Sequence, residues 1–236
     1  MSRYAEGNLM CVSAEISFGL SGVLVAGGGY AVHKARATDA RYVPLALFPV
    51  LVGIQQFLEG IVWVEAATYD QDLLRVAALG YLFFVWMIWP VWVPYMTARL
   101  EDNSQKRKLF TIIALAGLVL GLILYLPNLW RPDWLGIEII RHSIAYQCTY
   151  ITDTVLPIDL LYLVYLSIIA LPPLLSSYPA LNVLGAGLVA FVPLTYFFFS
   201  YAHVSVLCFF AAVVTLYIIY IILEDRCATY RARMST

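Results

Sequence analysis

Between Ala180 and Leu223 the chain runs for 44 residues without an acid, a lysine or an arginine. An α-helix needs roughly 20 apolar residues to cross a bilayer core, so this stretch is long enough for two crossings. Its polar break, Ser200-Tyr201-Ala202-His203, predicts a tight turn between them. With the apolar windows that precede it, the pattern predicts spans at about 14–33, 43–64, 73–97, 109–126, 155–175, 180–200 and 203–223. The expected fold is an all-α integral membrane protein, a seven-transmembrane helix bundle forming one membrane domain over residues 1–236. Gly27-Gly28-Gly29 is expected to end or bend the first span early. Pro90 and Pro94 are expected to kink the third, because proline removes a backbone donor and frees a carbonyl inside the helix.

The basic residues orient this plan. The odd-numbered connections and the C-terminal tail carry Lys34, Arg36, Arg41, Arg99, Lys106, Arg107, Lys108, Arg226, Arg231 and Arg233. The opposite side carries Arg3, Arg75, Arg131 and Arg141. The excess of positive charge on cytoplasmic loops therefore predicts an N-terminus outside and a C-terminus in the cytoplasm. The one long connection is an outer loop at 127–154. Its segment 136–150 reads equally as a short β-hairpin, from its Ile, Tyr and Thr content, or as an interfacial helix with Ile137, Ile140 and Ile144 on one stripe. Trp130 and Trp134 fit an interfacial aromatic belt.

Composition narrows the classes further. Hydrophobic residues make up 62% and charged residues 12%, with a mean hydropathy of +0.82, which places the chain among polytopic proteins of a cell or organelle membrane. The first residues lack the pattern of a cleavable signal. A net charge of −1, with its basic residues at span ends, argues against nucleic acid as a partner. The expected partners are the bilayer and, beyond it, a second copy or a larger membrane complex. The four cysteines form no C-x-x-C pair, so a zinc module is not expected. Cys11 and Cys148 both fall on the outer, oxidising side, where a bridge between them would tether the loop over the bundle. All three lysines sit at span ends, so no intramembrane lysine exists to hold retinal as a Schiff base.

Once the spans are oriented, the intramembrane polar residues gather toward the outer side. Span one enters with Cys11, Ser13, Glu15 and Ser17, and span two leaves through Gln55, Gln56 and Glu59. Span five enters with Asp153 and Asp159, and span seven with His203, Ser205 and Cys208. At 1.5 Å per residue, Glu59, Asp159 and Cys208 lie on the order of 6–8 Å below the outer interface. Glu15, Gln55, Gln56, Glu59, Asp159, His203 and Cys208 are therefore the expected pocket. An intramembrane carboxylate costs a few kcal/mol, so Glu59 should face the bundle interior. It either serves a ligand there or, protonated, bonds neighbouring helices through Gln55 and Gln56. Cys11, His142 and His203 are weak metal-ligand candidates, because His203 and Cys208 point roughly 140° apart on a helix and no local zinc motif is present. Trp86, Trp89 and Trp92 form an aromatic ridge that packs on lipid or helices, or lines a pocket for a quinone, carotenoid or lipid tail.

The segment from Met10 to Phe18, M-C-V-S-A-E-I-S-F, resembles the opening M-C-x-S-A-x-x-S-F of an uncharacterised family of multi-spanning membrane proteins. Gly53-Ile54-Gln55-Gln56-Phe57-Leu58-Glu59-Gly60, Trp89-Pro90-Val91-Trp92-Val93-Pro94 and Cys208-Phe209-Phe210-Ala211-Ala212 continue the resemblance across most of the chain. It implies a shared fold and brings no activity with it. In that family the motif stands at the very start, which raises Met10 as an alternative initiator to Met1, and Leu207 stands where tryptophan often precedes the cysteine.

Three functions fit these observations. The first is a small transporter or an ion- or proton-conducting protein with an outward-facing acidic pocket. The second is a non-catalytic accessory subunit or heptahelical sensor, and the third a metal-dependent intramembrane hydrolase. Carboxylates and amides at one depth favour the first; short loops fit the second; histidine spacing argues against the third.

Overall fold

The computed structural model describes residues 13–68, 71–140, 143–150, 157–198 and 203–224. Seven helices result: α1 (Ala14–Thr38), α2 (Val43–Thr68), α3 (Gln71–Leu100), α4 (Ser104–Trp130), α5 (Ile158–Leu175), α6 (Pro179–Phe198) and α7 (His203–Leu223). The first five are long and apolar enough to cross a membrane, α2 together with the short 3-10 turn Ala40–Tyr42 that leads into it. α6 and α7 are apolar as well, with described apolar stretches at Pro179–Val192 and Val214–Leu223. The turn expected around Ser200 lies outside the described residues.

The glycine triplet does not interrupt α1. Gly28 is buried where α1 meets α2, and a Cβ there would come within 2.9 Å of Pro49 Cβ and of the Val50 nitrogen. The missing side chain lets the two antiparallel helices touch at the backbone, so the triplet is a contact point and not a stop.

The proline pair in α3 gives a different distortion from a simple kink. Phe84–Ile88 forms one π-helical turn, in which the Trp89 N–H reaches back to the Phe84 carbonyl. In that register the next donor should be residue 90, and Pro90 has no N–H to give to Val85. The Tyr165 hydroxyl of α5 donates to the Val85 oxygen instead, at 2.6 Å. A broken rung in one span thus becomes a link to another. α4 packs on the same region through Gly117 and Gly121, which lie against the carbonyls of Pro90 and Trp86.

The basic end of the bundle is tied by charge. Arg41 pairs with Asp39 and Asp102, both at 3.1 Å, and the Tyr178 hydroxyl donates to Asp102 at 2.9 Å. The Glu101 carboxylate accepts from the Ser177 N–H at 2.9 Å. Lys106 Nζ donates to the Leu175 carbonyl at the end of α5, and Lys34 Nζ to the Leu223 carbonyl at the end of α7. Cations at helix C-termini meet carbonyls that lack a partner in the helix.

At the opposite end α4 continues through Pro127 to Trp130, so the loop starts later than the proline implies. A short turn, Pro132–Trp134, then leads into β1 (Leu135–Ile140), which pairs antiparallel with β2 (Ser143–Cys148). Of the two readings of this segment, the hairpin is the one that forms. The hairpin places Ile144 at 0% exposure against Val62, Leu74, Ala77 and Ala78. Arg141 and His142 at its tip lie outside the described residues, as does Cys11, so neither the bridge to Cys148 nor the His142 ligand falls within them.

Candidate functional site

The polar residues of α2 are as deeply buried as any side chain in the protein: Gln55 is 1% exposed, and Gln56 and Glu59 are 0%. Their i, i+3, i+4 spacing puts them on the interior stripe of α2, and each meets a different partner. Gln55 Oε1 accepts from Trp89 Nε1 at 2.9 Å, and Gln55 Nε2 lies 3.3 Å from Cys208 Sγ on α7. The Cys208 thiol is in turn hydrogen-bonded to the Tyr81 hydroxyl of α3. Gln56 Nε2 donates to Glu59 Oε2 at 3.0 Å, while Gln56 Oε1 is buried without a hydrogen-bond partner. Tyr81 stacks on Tyr146 of the hairpin, their ring centroids 4.9 Å apart and their planes 11° from parallel. Burial, and then the nearby Glu59, push the Tyr146 phenol well above its ordinary value. At neutral pH it is uncharged, and it roofs the cluster by ring stacking, its buried hydroxyl having no hydrogen-bond partner.

A second space adjoins this cluster. A cavity of about 350 Å³ lies between α2, α3, α5, α6 and α7, and Gln55, Trp89 and Cys208 form part of its wall. The rest of the wall is almost entirely apolar and aromatic, with Phe48, Trp86, Tyr162, Tyr165, Leu166 and Ile169 among its members. Leu163 and Phe197, exposed at 59% and 82%, stand at its rim on the outer face of α5 and α6. Asp159, also exposed, is its one carboxylate among the described residues. Toward the basic end the bundle is closed by fully buried Leu45, Met96, Leu100 and Ile218.

The structure therefore brings Gln55, Gln56, Glu59 and Cys208 together, sets Asp159 at the mouth of the neighbouring cavity, and leaves Glu15 out. The Glu15 carboxylate is exposed and accepts from Ser13 Oγ at 2.6 Å. His203 begins α7, and its side chain lies outside what is described. Among the described residues no three His, Cys, Asp or Glu side chains converge as a metal site. The tryptophan ridge divides: Trp86 and Trp89 line the cavity, whereas Trp92 donates to the Pro44 carbonyl at 3.1 Å, which fastens α3 to α2. Tyr81 and Tyr146 escape a reading by charge because both are uncharged residues in apolar or β-rich stretches. A sequence signal existed, since a buried tyrosine hydroxyl calls for a hydrogen-bond partner. Tertiary structure supplies Cys208 to Tyr81, while the Tyr146 hydroxyl is buried without a partner.

No curated protein and no solved structure matches this chain. A family model does match, over residues 10–233, and it spans every element of the site, from the α1–α2 contact to α7. The chain belongs to this family of unknown function, DUF6629.

Proposed function

We propose that this protein crosses the membrane seven times, with its N-terminus outside and its C-terminus in the cytoplasm, and binds the apolar chain of a membrane-soluble molecule in the cavity beside Gln55 and Cys208. The cavity carries this reading. An apolar space of about 150 Å³ already stays dry and takes up small apolar molecules, and this one holds about 350 Å³. Aromatic walls and a rim of exposed Leu163 and Phe197 suit entry from the bilayer.

Conduction of ions or protons has less behind it. Apolar walls cannot replace an ion's hydration shell, and buried Leu45, Met96, Leu100 and Ile218 stand between the cavity and the basic end. Glu59 instead holds Gln56 beside a latch in which Gln55 links α2 to Trp89 of α3 and Cys208 of α7, with Tyr146 of the hairpin stacked on Tyr81 above it. A chain-binding cavity coupled to such a latch fits an accessory subunit or a sensor.

Purified protein in detergent, titrated with a dibrominated fatty acid, should show saturable quenching of tryptophan fluorescence, because Trp86 and Trp89 form the wall. Ala211 also lines the cavity, and Ala211→Phe should reduce that quenching to a weak, linear background. Quenching that is linear in wild type, or unchanged in the filled variant, rules out chain binding. The orientation has its own test: single cysteines at Thr68 and Gln105 in a cysteine-free background, labelled in intact cells with a membrane-impermeant maleimide. Residue 68 should label and residue 105 should not. The reverse pattern overturns the topology.

A further inference from the structure

We propose that the cavity selects its ligand by length: it takes one alkyl or acyl chain of about ten to twelve carbons, carried by a single-chain amphiphile, and Phe48 with Leu188 forms the partition at which the chain ends. This rests on the chain-binding reading and adds the class of chain and the residues that select it.

The described wall residues set the length. They run from Phe48 to Gln55 on α2, from Val85 to Val93 on α3 and from Leu188 to Phe197 on α6. At 1.5 Å per residue these stretches cover roughly 10–14 Å along the bundle. An extended chain advances about 1.25 Å per bond, from bonds of about 1.5 Å at near-tetrahedral angles, so about eight to eleven bonds fit end to end. Volume gives a similar figure. A cavity of about 150 Å³ takes up one benzene, and by that measure about 350 Å³ takes up roughly fourteen carbons. Ten to twelve carbons lie between the two bounds.

The end of the cavity is a wall of side chains. A second cavity of about 20 Å³ lies beyond it toward the basic end, and Phe48, Leu188 and Ala211 border both spaces. Leu184, Gly187 and Val214 form the far side of the smaller one. A partition measures length only if it stays in place. The Phe48 ring packs against Trp89 with centroids 5.0 Å apart, and Trp89 Nε1 is fixed in turn by Gln55 Oε1 at 2.9 Å. A chain too long for the cavity must fold back or displace this braced ring, and both are unfavourable in a close-packed interior.

Displacement of a dibrominated fatty acid by monoacylglycerols of eight to sixteen carbons, at equal mole fraction in detergent and read by recovery of tryptophan fluorescence, tests this. Detergent already dissolves each chain in hydrocarbon, so a preference among lengths reports fit and not general hydrophobicity. Wild type should prefer the ten- and twelve-carbon chains at least fivefold over the sixteen-carbon one. Phe48→Ala joins the two cavities and should move the optimum to fourteen carbons or more. Leu188→Ala, at a half-buried position, should move it the same way and takes over if Phe48→Ala does not fold. Displacement indifferent to length in wild type, or an optimum unmoved in a folded variant, overturns the length rule and leaves chain binding standing. Quenching that never saturates overturns chain binding and the length rule with it.

Discussion

Gly117→Leu is expected to prevent the bundle from assembling, and Gly121→Leu to do nearly the same. A Cβ built on Gly117 would lie 2.1 Å from the Pro90 carbonyl oxygen, and one on Gly121 would lie 2.3 Å from that of Trp86. Both obstacles are backbone, which cannot swing aside like the end of a side chain. The backbone they belong to is also the least able to shift, being the π turn and proline of α3, whose Val85 rung is already handed to Tyr165. Overpacking a tight contact costs about 1–3 kcal/mol even where side chains can adjust, and here α4 would have to separate from α3 along its length. The glycine pair, spaced four apart, is the small-residue geometry that lets membrane helices approach closely. Expression in membranes followed by fluorescence-detected gel filtration in detergent should show Gly117→Leu as aggregate or absent. A monodisperse peak with the wild-type melting temperature would mean that the α3–α4 contact is not as described.

Glu59→Leu is expected to destabilise the protein by about 1–3 kcal/mol, the cost of leaving a buried polar group without its partner. Gln56 is wholly buried, its Oε1 already lacks a hydrogen-bond partner, and its Nε2 donates to Glu59. Leucine at residue 59 would leave both ends of that amide unsatisfied. Glu59→Gln retains an acceptor of the same shape, so it should fold and melt close to wild type. Both variants should keep the saturable fluorescence quenching wherever they fold, because the walls of the cavity are Gln55, Trp89 and Cys208, not Glu59. Thermal unfolding of the three proteins side by side decides the matter. If Glu59→Leu melts like wild type, the Gln56–Glu59 hydrogen bond has no structural weight. If Glu59→Gln folds normally and yet abolishes binding, the charge itself belongs to the ligand site.

The chain order of apolar windows and the charge of the connections determined the class of this protein without its structure. A run such as Ala180–Leu223 has no stable place in water, and backbone groups in hydrocarbon must be satisfied within the segment, which leaves helices as the answer. The burial of Gln55, Gln56 and Glu59 was equally legible, since carboxylates and amides at i, i+3 and i+4 in an apolar helix have to face inward. Three things depended on packing. The glycines of α1 are a contact and not a break because α2 lies against them, and no local rule says which helix will lie there. The hairpin prevailed over a helix at 135–148 because Ile144 and Tyr146 found Val62 and Tyr81 beneath them, an interaction between segments more than 60 residues apart in sequence. The cavity, too, is made of residues from five helices, most of them aromatic or aliphatic and individually indistinguishable from lipid-facing ones. Periodicity and charge act along one helix, so they determine which residues turn inward. Which of those inward residues meet one another, and where they fail to fill the space between them, is set by the closest approach of the helices.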